Sequence, residues 1–340
     1  MELPRAVFKR SPEDFVVEEI DGYAASGEGE HTLVRFRKRG LTTDAALTRL
    51  AAALEVDVRA CGSAGMKDKD AVTTQRVSLP GVDPAAAMAL SGRFPDLEVL
   101  EASRHGNKLK PGHLRGNRFV IRLRGMSIEG IEEATMALTR LGEEGFPNAF
   151  GPQRFGRDGQ NADRALAFVR GEGRPPRDPR ERRFLFSALQ SRWFNRVLAS
   201  RVEDGTFRVP EAGDLLKRHD SGGLFLCEDE ATDRPRAARF EVSPTGPIFG
   251  TKMPSPGGRI LTLEREALAA DSVTDDHLRA HRSLGEGTRR PLRLPLEDLA
   301  VHREADGLTV TMTLTKGAYA TTVLGCVVAL DRDTTAEPVP

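Results

Sequence analysis

Residues 64–75 read AGMKDKDAVTTQ, in which Lys67, Asp68, Lys69 and Asp70 alternate cation and carboxylate directly before a small apolar pair. A cation beside a carboxylate favours its ionised form, and an ionised carboxylate can attack an electrophilic carbon or accept a proton. Read locally, an aspartate in such a stretch is more often a turn or cap residue. Adjacent side chains often diverge, so a basic residue brought in from elsewhere is as good a candidate for the counter-charge as Lys67 or Lys69.

A second feature is a basic window. From Ala102 to Ile128 no acidic residue occurs, while Arg or Lys stands at 104, 108, 110, 115, 118, 122 and 124, with His105 and His113 between them. Such a run is often only a solvated face. Here glycines (Gly106, Gly112, Gly116) interleave with the bases, which lets backbone amides approach a phosphate closely. Arg154, Arg157 and Arg164 follow near further glycines and aromatics. Cations beside aromatics suit a folded RNA, whose phosphates are neutralised while exposed bases stack.

Several elements must position these groups. DFVVEEI (14–20), HTLVRF (31–36) and NRFVIRLR (117–124) read as strands, the first two separated by the turn GEGE. TTDAALTRLAAAL (42–54) and EGIEEATMALTRL (129–141) carry apolar residues at helical spacing. Composition shifts after about Gly142: 145–183 is rich in Arg, Gly and Pro and ends RGEGRPPRDPRERR, whose proline-rich part is expected to be a loop or an extended surface segment. FLFSALQSRWFNRVLASRV (184–202) predicts an amphipathic helix, and 259–282 one or two more with a joint near Ser272. LTVTMTLTKGAYATTVLGCVVAL (308–330) reads as a strand, a Gly turn and a final apolar helix or strand, before a loose tail over 331–340. Strands and helices mix, so the expected class is α+β.

The bulk numbers narrow the function classes. A chain of 340 residues holds one large domain or two moderate ones. With 50 basic and 50 acidic residues it does not wrap nucleic acid with its whole surface, although local patches remain open to that role. The three cysteines, Cys61, Cys227 and Cys326, are too scattered for a disulfide framework or a CxxC site, and the seven histidines form no HExxH set, so no metal is expected. The opening MELPRAVFKRSPEDF lacks a continuous apolar core, and no stretch of 18 apolar residues occurs, so neither a signal peptide nor a membrane span is expected; a cytoplasmic protein is.

AGMKDKDAVTTQ, together with RHGNKLKPGHLRGNRF (104–119), FPNAFGPQRFG (146–156), RRFLFSALQSRWFN (182–195) and KGAYATTVL (316–324), closely resembles the TruD family of tRNA pseudouridine synthases. KRSPEDFVVEE (9–19) and GPIFGTKMPSPGG (246–258) resemble further family segments in the family's order, so the likeness covers nearly the whole chain. The resemblance implies an α+β pseudouridine-synthase domain with a mixed or antiparallel sheet, comprising 1–144 and 294–340 and interrupted by an α/β insertion domain over 145–293. It implies isomerisation of uridine-13 in the D arm of tRNA to pseudouridine, without metal or cofactor. The partner is tRNA, with no membrane and no obligate protein partner, and the protein is expected to be a monomer.

By motif position, the family's catalytic aspartate is Asp68, whereas Asp70 falls where the family varies. The base pocket would comprise Phe15, Asn117, Phe119 and Tyr319, and Lys9 matches a basic residue before the PEDF segment. Lys9, Lys67, Lys108, Lys110, Arg115 and Arg154 would contact RNA phosphates or line a basic cleft. Two departures stand out: Ala318 replaces the serine of the GS(F/Y)AT motif, and Gly325–Cys326 follows VL where Arg-Glu is common. A non-catalytic tRNA binder or folding chaperone would use the same basic surfaces. A metal-dependent nuclease lacks the clustered carboxylates it needs near the basic window.

Overall fold

A computed structural model describes residues 2–156 and 158–332. Arg157 of the second basic cluster, and the expected tail from 333 onward, lie outside the described residues. The chain packs as two units. One holds the described residues up to Gly142, Leu296–Ala320 and those from Leu324 on; the other holds Glu143–Pro295 with Thr321–Val323.

The first unit opens with β1 (Arg5–Phe8), β2 (Phe15–Asp21), β3 (His31–Arg39), α1 (Thr43–Ala53) and the short β4 (Gly62–Ser63). It continues through β5 (Val72–Pro80), α2 (Pro84–Met88), β6 (Leu97–His105), β7 (Leu114–Arg124) and α3 (Ile128–Glu144). In the second unit come β8 (Phe146–Pro147), α4 (Asn161–Val169), α5 (Pro179–Glu203), β9 (Leu215–Arg218), β10 (Leu224–Leu226) and α6 (Glu230–Ala238). Then follow β11 (Val242–Ile248), α7 (Gly258–Ala269), α8 (Asp275–Ala280), β12 (Thr288–Pro291) and β13 (Arg293–Leu294). The chain closes with β14 (Glu297–Glu304), β15 (Gly307–Thr315), α9 (Ala320–Leu324) and β16 (Ala329–Arg332). The class is α+β, as the mixture of periodicities predicts. Asp331 and Arg332, expected in the tail, instead end β16, which pairs with β1.

The first unit is built on one sheet with the order β14-β15-β7-β2-β5-β3-β6, extended by β1, β16 and β4. Along this order every pair is antiparallel except β2 with β5. Residues paired across strands point to the same face. Phe15, Val17 and Glu19 on β2 stand opposite Ile121, Phe119 and Asn117 on β7. Val17 neighbours Thr73 on β5, and Thr73 and Gln75 stand opposite Lys38 and Phe36 on β3. One face thus carries apolar residues along with Lys38, Glu19, Gln75 and Asn117. The other face carries a charge lattice, in which Arg35 pairs with Glu18 at 2.7 Å and Asp21 at 3.2 Å, and Arg76 with Asp21 at 3.1 Å.

Under α1 the apolar face is sealed by Val34, Phe36, Leu47, Leu50, Val77, Leu79, Leu97 and Val99. Gly116 permits the close approach of β15 to β7, since a Cβ there would lie 2.4 Å from the Leu314 carbonyl oxygen.

In the second unit α5 is longer than its apolar pattern predicts. Asp178 accepts from the Arg180 amide, and Pro179 sits in the first turn, so the helix begins inside the proline-rich stretch. Its Leu185, Phe186, Leu189 and Trp193 pack with Ala165, Phe168 and Val169 of α4, a helix whose apolar face is too short to stand out among the surrounding arginines and glycines. The four-stranded sheet β10-β9-β11-β12 is antiparallel throughout.

Candidate active site

The site is assembled in the first unit around the segment between β4 and β5. Its main chain is tied to the polar end of the sheet face. The Lys67 amide donates to Thr43 Oγ1 at 2.8 Å, and that hydroxyl donates to Gln75 Oε1 at 2.9 Å. The Lys67 ammonium lies 2.5 Å from Glu19 Oε2, while Glu19 Oε1 accepts from the Arg76 amide at 3.2 Å. Lys67, expected to contact RNA, is therefore held in an enclosed ion pair against the sheet.

Asp68 is fixed at three points. Its carboxylate Oδ2 meets the Lys9 ammonium, and Oδ1 accepts from the Asp70 amide at 3.2 Å. Its main-chain carbonyl accepts from Lys38 Nζ at 2.7 Å. The Asp68 side chain keeps 33% of its surface open, whereas its partner Lys9 keeps only 6%. The counter-charge is thus the residue supplied from far along the chain, and Lys67 and Lys69 are not its source.

Lys9 stands in the left-handed region at φ 58°, in the turn between β1 and the 3-10 turn Pro12–Asp14. Buried Asp14 holds this turn, accepting from the Ser11 amide at 3.2 Å and from Arg124 of β7 at 2.9 Å. The Lys9 ammonium also lies 4.2 Å from the centre of the Phe15 ring, a cation–π distance. Phe15 and Phe119 tilt against each other with centroids 6.0 Å apart. Lys9, Phe15, Asp68 and Phe119 therefore form one cluster. Asn117 shares their sheet face two residues from Phe119, and its Oδ1 is buried without a hydrogen-bond partner among the described residues. Thr73 Oγ1 and Gln75 Nε2 on the same face are likewise unpartnered, leaving hydrogen-bonding capacity for water or a substrate edge.

Tyr319 is 41% exposed in the turn between β15 and α9. Lys108 donates to the Arg59 carbonyl at 3.0 Å, and Lys110 is exposed. Arg115 is exposed and lines a cavity of about 140 Å³ shared with Glu297 and Asp298. Arg154, in the second unit, bonds Ser191 Oγ at 3.2 Å and faces the Phe150 ring at 5.7 Å. Gly325 and Cys326 are exposed between α9 and β16.

Two site residues escaped the sequence reading, Glu19 and Lys38. Both had a signal: each continues the inward phase of its strand, Phe15-Val17-Glu19 and Val34-Phe36-Lys38. A charged residue in the apolar phase of a strand is costly to bury unless paired or hydrogen-bonded, so it points to a partner elsewhere in the chain. Burial pushes the Lys38 ammonium down to about 8, with the Asp68 charge opposing that shift and Lys67 adding to it. Among the described residues, no three His, Cys, Asp or Glu side chains are placed to hold a metal ion, and no helix is long and apolar enough to cross a membrane.

An enclosed cation beside a partly open carboxylate, walled by two phenylalanines, can present a nucleophile or base to a flat ring. The model of the family tRNA pseudouridine synthase D (TruD) matches residues 5–171 and 178–325. The chain is 47% identical over 321 residues to the tRNA pseudouridine synthase D of Anaeromyxobacter sp. (strain Fw109-5), covering 93% of this chain and 90% of that one. It is 41% identical over 332 residues to the protein of that name from Thermus thermophilus, covering 97% and 91%. Its fold is similar to a crystal structure of a Methanosarcina mazei chain described as tRNA pseudouridine synthase D, with a TM-score of 0.81, 21% identity and coverage of 96% and 94%. On the extent of the family match and the identity to these relatives, the chain belongs to the tRNA pseudouridine synthase D (TruD) family.

Proposed function

We propose that this chain isomerises uridine-13 in the D arm of tRNA to pseudouridine, with Asp68 as the catalytic carboxylate. The reading is carried by the Lys9–Asp68 contact, which fixes a partly open carboxylate against an enclosed ammonium beside Phe15 and Phe119. The reaction breaks the N1–C1′ bond, turns the uracil and rejoins it through C5, which then loses its proton. Asp68 serves this either by attacking the substrate covalently or by taking the C2′ proton, with the Lys9 ammonium facing its carboxylate in both routes. Phe15 and Phe119 act as walls that exclude water, and Asn117 offers its unpartnered oxygen to a uracil N–H. Tyr319 stacks on the extruded base.

Residues 1–144 with 294–340 act as the catalytic domain and 145–293 as an insertion, a division supported by the unit boundaries at Glu143 and Pro295. Lys9 serves Asp68 directly. Lys108, Lys110, Arg115 and Arg154 serve the RNA backbone, and Lys67 supports the loop beneath it. The enzyme works as a cytoplasmic monomer without metal or cofactor.

The test is unmodified tRNA carrying U13, incubated with pure protein in EDTA and mapped by carbodiimide adduct and primer extension. A stop assigned to position 13 with wild type and none with Asp68→Asn is the expected result. Tight binding without modification of any such tRNA overturns the reading in favour of a tRNA-folding chaperone.

A further inference from the structure

We propose that Lys38 is a positioning residue for the reaction: through its ammonium it clamps the main chain at Asp68 and Leu41, and so sets where the Asp68 carboxylate points. The inference rests on the reading of Asp68 as the catalytic group. Lys38 is 1% exposed on the inward face of β3, out of reach of a substrate. Its Nζ donates to the carbonyl of Leu41, which leads into α1, and to the carbonyl of Asp68 at 2.7 Å. One side chain therefore ties the segment before α1 to the segment carrying the carboxylate. An apolar residue of the same length would fill the space and leave both carbonyls without this donor.

An ammonium is expensive to bury, so a lysine here needs a reason. The charged groups around it are the Asp68 carboxylate and the Lys67 ammonium, with Lys9 and Glu19 in turn paired to those two. Two cations thus sit on either side of Asp68, Lys9 at its carboxylate and Lys38 at its carbonyl. Each acts on a different atom of the same residue. Burial leaves the Lys38 proton exchangeable near pH 8, where the charge-assisted bonds weaken to those of a neutral amine.

The test compares wild type with Lys38→Met in single-turnover reactions on U13 tRNA from about pH 6.5 to about pH 9.5. Wild type should lose rate in a limb centred near pH 8. The variant should be about tenfold or more slower at neutral pH, with KM within about threefold, and should lack that limb. A variant within about twofold of wild type, or one that keeps the same limb, overturns the proposal. A wild-type profile that is flat across the window overturns it too, even if the variant does not fold. A second readout needs no activity: amide hydrogen exchange in the unliganded protein. Faster exchange of the Lys67 and Asp70 amides in the variant, with α1 unchanged, supports the clamp, and unchanged exchange there refutes it. Should wild type modify no tRNA, the functional reading fails while the exchange data still decide the clamp.

Discussion

Glu19 and Lys67 meet at 2.5 Å with side chains only 1% and 6% exposed, an ion pair enclosed between the sheet and the segment that carries Asp68. Removing one partner strands the other. Glu19→Gln should therefore cost about 3–5 kcal/mol in urea unfolding, whereas Glu19→Leu combined with Lys67→Met should recover much of that loss. Equal losses in the single and double variants would contradict an enclosed pair.

Asp68→Asn keeps the shape of the side chain and removes its charge. Turnover on U13 tRNA should fall by about 10²-fold or more, while the Kd for tRNA changes by less than about threefold. A variant that loses binding in parallel with rate would assign Asp68 to the fold or to the RNA contact.

Lys38 predicts a pH-dependent stability. Its folded value, about 8, lies below the ordinary 10.5, so between these values the unfolded chain binds a proton that the folded chain has released. Its contribution is full above about pH 10.5 and is lost as pH falls through about 8, amounting to about 3 kcal/mol across the window. Wild type minus Lys38→Met, measured by denaturant titration at several pH values, should show this rise toward alkaline pH. A difference that does not change with pH would place the ammonium in contact with water.

Extruding a base from folded tRNA requires phosphate contacts on both sides of it. Raising salt from about 50 mM to about 200 mM should weaken tRNA binding by about tenfold or more. Lys110→Ala and Arg115→Ala should each reduce the salt slope, because both side chains are exposed on the basic window.

Much of this arrangement was legible in the sequence, for physical reasons that differ by element. β7 declares itself because Phe119, Ile121 and Leu123 alternate with outward residues, and α1 because its apolar spacing follows a threonine cap. β5 was hidden. Its sequence VTTQRVSLP looks polar, yet Thr73 and Gln75 are buried on the face that carries the site, and Ser78 on the opposite phase is buried where it meets Gly62 of β4 and accepts from the Leu109 amide. The KDKD stretch announced a candidate carboxylate but could not name its counter-ion. Lys9 lies 59 positions earlier, in a turn that Asp14 and Arg124 hold in place. Local rules were least informative where the chain places polar groups for chemistry.

The pairing of β7 with β15 has a consequence during synthesis. β7 is complete once Arg124 is made, but its partner on that side, β15, begins only at Gly307, after Glu143–Pro295 of the second unit has been translated. A nascent chain therefore emerges with the 114–124 strand exposing an unpaired edge, the condition under which strands associate wrongly. The charged residues spaced along it, Arg115, Arg118, Arg122 and Arg124, repel a second copy during that interval. The arginines spaced along this strand would thus guard its open edge on the ribosome until its partner strand is made.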